Sequence, residues 1–429
     1  MALHRFDRQV FVALESTSGT LASVTAADDF IDAIDPTFTI TPRSYERNLV
    51  RPSFTSHPQY YPSLDATTAS SDTVAQVEMS FSVEMTAKDH ADGNKELPVW
   101  GELLQACGFE QLATVARATI GAITNGPVLH REELEKADET IIGRAVGTYF
   151  TGDTSLFLER STAADVATEA TVSGATYTGS AEVADVGHAY IFNTDKATAT
   201  ANSSVSIWMY LDGQLVVAKG CRGNVEFSFN ATDRCLMNFT FTGVLDRFTN
   251  SAANLAGASG GNKVPPVFSG AGFGINSVGT ALYTGGIFST LSIDVGNELI
   301  YRDDANAADG VKEVSIAGRQ STMTFNPDAD MATSGNYANF LSDFVTGSLA
   351  RAEFRLGAAA EDGNSFLFKM PALQWTGVAD GDRDNLTVYE GSANLTGGTN
   401  GDSCRSSSDG TTRRYTDRGE DNELVIIAY

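Results

Sequence analysis

Positive charge is scarce in this sequence. Lys and Arg number 29 against 54 Asp and Glu, a net charge of −25. A surface that grips nucleic acid needs clustered cations to displace counterions from phosphates, so that class is excluded, whereas a surface that repels nucleic acid is permitted. Cysteine is also scarce. Cys107, Cys221, Cys235 and Cys404 show no CxxC spacing. Cys221 and Cys235 could face each other across a hairpin, but free buried thiols are the expected state. The five histidines (His4, His57, His90, His130 and His188) are scattered without HExxH or HxH spacing, and there is neither a Walker loop nor a GxGxxG after a strand. The opening stretch MALHRFDRQVFVALESTSG has no signal-like apolar run, and nowhere do about 18 apolar residues follow one another, so no membrane span is expected. No constellation of acid, base and nucleophile appears. The expectation is therefore no enzyme, no cofactor and no metal.

Two motifs come closest to chemistry. Gly257-Ala258-Ser259-Gly260-Gly261 satisfies GxSxG, but a nucleophile elbow needs a strand before it and a helix after it, and here the surroundings are a Gly/Ser-rich linker. Asp380, Asp382 and Asp384 have the spacing that opens a calcium loop. The sixth position is Asn385 instead of glycine, and the later acid, Glu390, falls one place early. A polar hairpin turn is the better reading.

What the chain does have is alternation. Residues 204–245 read as four strands in a row. Val205, Ile207, Met209 and Leu211 alternate with Ser206, Trp208 and Tyr210 before Asp212-Gly213, a dipeptide suited to a tight hairpin. Leu215–Val217 begin the return, and Gly220 and Gly223 mark a bend or bulge. Val225, Phe227 and Phe229 then alternate with Glu226, Ser228 and Asn230, and Met237, Phe239 and Phe241 with Asn238, Thr240 and Thr242. Side chains on a strand point to opposite faces with period two, so these strands form an antiparallel sheet with one face on a core and one largely in water. Val77–Thr86 alternates as strictly and puts Glu78 and Glu84 on its polar face.

In chain order, residues 1–35 read as an arm and Pro36–Thr41 as a strand. A long polar loop, Pro42–Asp72, carries Arg43, Arg47, Arg51, Tyr60 and Tyr61 among its prolines; loops of that length usually have a job. Leu97, Trp100, Leu104 and Cys107 share one helical face, with Gly108 as a stop. Residues 109–202 read as an inserted, loop-rich β region. A Ser/Ala/Asn/Gly stretch at 249–262 opens a linker that extends to 285. Strands follow at 291–295, 311–316, 321–326, 350–356, 365–370, 385–395 and 423–428. Between them Tyr337, Phe340, Leu341 and Phe344 form a second helical stripe. Both halves thus show a strand pair, a short helix and a run of antiparallel strands, an internal repeat.

The segments LPVWGELLQACGFE (97–110), SVSIWMYLDGQLVVAKGCRGNVEFSFNAT (204–232), FTFTGVL (239–245), VGNELIYRDD (295–304), GVKEVSIAGR (310–319) and DNELVIIAY (421–429) together resemble the tail tube, or major tail, proteins of long-tailed, non-contractile bacteriophages. The resemblance implies a mainly β fold of two tandem tube domains, each two packed sheets flanked by a helix: 36–248 with the insertion at 109–202, and 286–429. It implies a homo-oligomer whose neighbouring strands close into a barrel around a channel. Trimeric, pseudo-hexameric rings are expected, with hexamers as the runner-up. It further implies stacking into a tube that passes genomic DNA without binding it, contact with tape measure, tail terminator and distal tail proteins, and a place in the virion after assembly in the bacterial cytoplasm. Glu78, Glu84 and Glu226 become candidates for the channel wall, and the Pro42–Asp72 loop for contact between rings. A β-rich virion adhesin or decoration protein that binds host glycans is the alternative, and a hydrolase based on Ser259 a third reading.

Overall fold

A computed structural model of the chain describes residues 8–26, 29–42, 75–87, 97–119, scattered positions within 123–159, and 172–173, 178–179, 182–192, 203–252, 255–258, 264–277, 282, 286–307, 310–328, 343–357, 364–396 and 422–428. The fold is mainly β, with antiparallel pairing throughout the described strands. In order the strands are β1 (Arg8–Leu14), β2 (Phe30–Ile31), β3 (Ala33–Pro42), β4 (Ala75–Glu84), β5 (Phe109–Thr119), β6 (Glu133–Glu135), β7 (Ile141–Ala145), β8 (Ser155–Glu159), β9 (Val172–Ser173), β10 (Thr178–Gly179), β11 (Glu182–Phe192) and β12 (Val205–Leu211). Then come β13 (Gly213–Asn230), β14 (Leu236–Ala252), β15 (Gly274–Ser277), β16 (Phe288–Asp294), β17 (Asn297–Asp303), β18 (Val311–Arg319), β19 (Thr322–Pro327), β20 (Ala350–Leu356), β21 (Phe366–Arg383), β22 (Leu386–Thr396) and β23 (Val425–Ala428). Helix α1 (Trp100–Ala106) buries Trp100, Leu103 and Leu104, with Cys107 buried just beyond it, whereas Leu97, expected on the same face, precedes the helix and is exposed. Of the second expected helix, 336–342 lies outside the described residues, and a single helical turn covers 343–346.

Eight strands form one continuous front sheet in the order β3-β4-β14-β13-β16-β19-β22-β21. Its first four strands come from the first half of the chain and its last four from the second. The connection order is the same in each quartet: first strand, second strand, last strand, penultimate strand. The sequence repeat is therefore a repeat of topology. Met79 and Phe81 in β4 take the places of Met323 and Phe325 in β19, each buried in the core.

Two back sheets cover the apolar side. β13 and β21 are long and bend, so that each belongs to a front and a back sheet. The N-terminal part of β13 pairs with β12, which pairs with β1 and then β2. The N-terminal part of β21 lies between β20 and β23. One apolar core lies between the layers and includes Phe81, Phe227, Phe239, Phe354, Phe368 and Trp375, so it runs across both halves. Its aromatic rings meet edge to face or offset, as Phe229 does with Phe354 (4.9 Å) and Phe368 (5.1 Å).

Several expectations are corrected. Residues 204–245 make three strands, not four, because the return strand and the Val225–Phe229 strand are one, β13, with a register shift between Lys219 and Arg222. Gly220 sits there at φ +62°. Its N–H and the Ser206 hydroxyl both donate to Glu15 Oε1 at 2.7 Å, so the carboxylate of Glu15 holds the bend. Hence the expected N-terminal arm is part of the fold: β1 pairs with β12 along seven residues, and Phe11 is fully buried. The expected linker 249–285 holds the end of β14, strand β15 and the buried Phe268 and Phe273. The inserted region packs on the second half. β11 pairs with the C-terminal β23 and with β5. The Lys369 ammonium lies over the Tyr149 ring at 4.1 Å, and the Arg351 guanidinium over Phe150 at 4.3 Å.

The hairpins form where the turn chemistry points. Asp212 and Gly213 adopt φ of 44° and 95°, and Asp384 and Asn385 adopt 54° and 65°. Paired positive φ values are those of a type I′ turn, which matches the strand twist. The aspartates at 380–384 thus close the β21–β22 hairpin, with the Asn385 N–H donating to Asp382 Oδ1 at 2.9 Å. Cys107, Cys221 and Cys235 are free and buried, as expected, and burial pushes all three thiols well above their ordinary range.

Candidate functional site

The outer face of the front sheet is built by period-two alternation in eight strands at once. With the core residues of β4, β14, β13, β16, β19, β22 and β21 turned inward, their neighbours form a band on the opposite face. One row crosses seven strands by direct pairing: Ser82, Asn238, Glu226, Asp294, Thr322, Asn394 and Gln374. A second runs through Ser228, Ser292, Thr324 and Ser392.

Hydrogen bonds lace these rows together. Ser82 Oγ donates to Asn238 Oδ1 at 2.7 Å, and Asn238 Nδ2 to Ser228 Oγ at 3.0 Å. Asn224 Nδ2 donates to Asp294 Oδ1 at 2.7 Å. The hydroxyls of Ser292 and Thr324 lie 2.8 Å apart, and those of Thr376 and Ser392 3.1 Å. Short hydroxyl and amide side chains, bonded to one another, leave a low and even polar surface.

Carboxylates dominate the charge on this sheet. Its strand segments 33–42, 75–84, 223–230, 236–245, 288–294, 322–327, 374–382 and 386–396 contain Asp35, Glu78, Glu84, Glu226, Asp294, Asp380, Asp382 and Glu390 but no lysine or arginine. Among the described residues the arginines beside them are neutralised or buried: Arg234 Nη1 is 2.8 Å from Glu84 Oε1, Arg383 is paired with Asp328, Arg247 Nε is 3.2 Å from Asp246 Oδ2, and Arg222, directly opposite Thr242, is buried.

All three acidic residues singled out from the sequence fall on this face. Glu78 is exposed on β4 opposite Thr39 and Thr242. Glu84 holds Arg234. Glu226 lies directly opposite Asp294 where the two quartets join; partial burial, and next the Asp294 charge, raise its carboxyl above its ordinary value of 4.5. Asp294 and Glu390 complete the acidic set, and the alternation of Ser292 and Asp294 with Leu291, Ile293 and Val295 is their sequence signal. Arg43, Arg47, Arg51, Tyr60 and Tyr61 lie outside the described residues, as does Ser259.

The junction of the quartets is clasped from above. Asn297 Nδ2 donates to Cys107 O at 2.7 Å and Gly223 O at 3.0 Å, and its N–H donates to Asn224 Oδ1 at 3.0 Å. One side chain thus ties the end of α1 to both β13 and the exit of β16. Among the described residues no strand pairs with the outer edge of β3 or with that of β21 beyond Leu373, and no group of His, Cys, Asp and Glu could hold a metal ion. No described helix is long and apolar enough to cross a membrane. No protein-family model and no curated protein matches the sequence.

Proposed function

We propose that the chain is the structural subunit of a phage tail tube, and that the polar face of its front sheet lines the channel for DNA. The observation that carries the reading is the eight-stranded sheet built from two topologically equal quartets, with a face on which carboxylates predominate and Arg222 is buried. Such a wall repels phosphate and gives a moving duplex no counterion-releasing contacts to stop at. Small hydroxyl and amide side chains keep the wall hydrated and without protrusions.

Geometry favours three copies per ring. Three eight-stranded sheets give 24 strands. At strand spacings of about 4.8 Å and tilts of about 40°, they close at a backbone radius of roughly 24 Å, which leaves a channel for duplex DNA inside the side chains. By the same relation two copies close at roughly 16 Å and six at roughly 48 Å, too tight and too wide. Closure also removes two open sheet edges, each of which invites uncontrolled pairing while it is exposed. The protein then belongs to the virion, with other tail proteins as partners at the tube's ends and in its lumen.

Electron microscopy of the purified protein tests this reading. Hollow tubes or rings are expected, and cross-sections averaged without imposed symmetry should show three equivalent chains. Monomers under all assembly conditions would reject the tube, and six equivalent chains per ring would reject the trimer.

A further inference from the structure

The fold already contains one junction between quartets, and that junction specifies a second. Within the chain, the strand at the inner edge of the first quartet, β13, pairs antiparallel with the first strand of the second, β16. Glu226 faces Asp294, Phe227 faces Ile293 and Ser228 faces Ser292. The Val295 N–H donates to Val225 O at 3.1 Å. By strand order β21 is the equivalent of β13, and β3 the equivalent of β16. Both outer edges are without a paired strand among the described residues.

Equivalent residues follow from the pairing registers. Phe81 pairs with Phe239 and Phe239 with Val225, while Phe325 pairs with Gly391 and Gly391 with Val378. Val378 therefore stands where Val225 does, and Ala379 where Glu226 does. Met79 pairs with Phe38, and Met323 with Ile293, so Phe38 stands for Ile293 and Thr39 for Asp294.

We propose that β21 of one copy adds to β3 of a second copy of this chain, with Val378 opposite Ile40, Ala379 opposite Thr39, and Gly381 opposite Thr37. Three features support it. The occupant is self-supplied, since each copy offers both edges. Both strands turn a short neutral residue to the polar face at the meeting point, Thr39 and Ala379, each exposed. The seam between copies therefore avoids the facing carboxylates of the internal junction. On the apolar side Ile40 and Val378, both partly buried against the core, would continue that core across the seam as far as the exposed Asp380, which the register sets opposite Phe38. The contact is head to tail, which generates rings when the rotation closes. It rests on the tube reading above and adds to it the strands and the register.

The test is a cysteine pair, Thr39→Cys with Ala379→Cys, in a Cys404→Ser chain whose other three cysteines are buried. Residues directly opposite in an antiparallel pair have Cα atoms about 4.5–5.5 Å apart, within the span of about 4.4–6.8 Å that a disulfide bridges. Oxidation of assembled protein should give a ladder on a non-reducing denaturing gel that ends at three chains, and neither single variant should give one. Thr39→Cys with Gln374→Cys, out of register, should give none. Tubes or rings that form without the cross-link, or that link only out of register, overturn the seam and leave the tube reading intact. Protein that never assembles overturns both. A second measurement needs no substitution: on assembly of the unaltered chain, amides in 37–41 and 377–382 should gain protection from hydrogen exchange. Their target is the level expected of 224–230 and 290–294, which are already paired in the free chain. Assembly without that gain overturns the seam as well.

Discussion

In the first quartet Phe241 of β14 lies directly opposite Gly223 of β13, and in the second Ala393 of β22 lies directly opposite Trp375 of β21. The positions are equivalent, but the large and small partners have changed strands. A Cβ at Gly223 would meet Phe241 Cδ1 and Cε1 at 2.6 Å and Thr240 O at 2.9 Å, so the ring needs the glycine. Across the second pair the indole of Trp375, 6% exposed, fills the space that Ala393 leaves and lies 5.5 Å from the Phe325 ring at a tilt of 31°. What the two quartets share is the pairing of one large ring with one small residue, an arrangement that close packing favours. Their connections differ more. β16 reaches β19 through the β17–β18 hairpin, whose Tyr301 hydroxyl donates to Gly243 O at 3.1 Å, whereas β3 reaches β4 through residues 43–74.

The sharpest way to break this comparison is at those connections. The hairpin packs on its own chain; the Pro42–Asp72 loop is the candidate contact between rings. Replacing residues 43–74 with a short turn should leave a folded chain, with unchanged circular dichroism, that no longer forms tubes. Normal tubes in the microscope would remove this segment from the contacts between rings.

The volume exchange can be tested next. Trp375→Ala should destabilise the chain by about 3–5 kcal/mol, the range for emptying a buried aromatic site, read from denaturant unfolding. Installing the first quartet's solution in the second, Trp375→Gly with Ala393→Phe, should recover at least half of that loss. A double variant no more stable than Trp375→Ala would show that the quartets are alike in topology but not in packing.

The smallest expected effect concerns charge at the internal junction, where Glu226 faces Asp294 while its equivalent in the second quartet is Ala379. The raised carboxyl of Glu226 means that the folded chain holds this proton more tightly than the unfolded chain does. Stability from this group therefore falls as pH rises from the ordinary glutamate value through the raised one. Glu226→Gln should leave Tm unchanged below that window and raise it slightly above it, the gain being limited by solvent around a partly exposed group. An equal shift at both ends of the pH range would assign the effect to packing instead.

Much of the front sheet was legible in the sequence because its signals are local. Val77–Glu84 alternates strictly, and its even positions stand on one face, which is why Glu78 and Glu84 could be assigned to the polar side. Trp208 and Tyr210 were harder. They sit on the side of β12 that alternation alone gives to water, yet Tyr210 is buried and Trp208 partly so, because Phe11, Phe30, Leu21 and Val24 pack over them. A second apolar layer leaves little period-two trace. Glu15 gave no signal either: its role at the Gly220 bend depends on residues some two hundred positions away.

By itself the sequence determined where most of the front-sheet strands lie, which of their faces are polar, and where the hairpins turn. Each of those outcomes rests on side chains within a few residues of one another: alternation for the faces, and the tolerance of Asp, Asn and Gly for positive φ at Asp212-Gly213 and Asp384-Asn385. Only the tertiary structure decided that the two quartets join edge to edge through β13 and β16, that the N-terminal segment is a back strand, and that the insertion docks on the C-terminal strand. Those choices are made between segments far apart in the chain. There many apolar strands would pair acceptably, and the selection falls to complementary volume, as at Gly223 with Phe241, and to single anchoring groups such as Glu15 and Asn297.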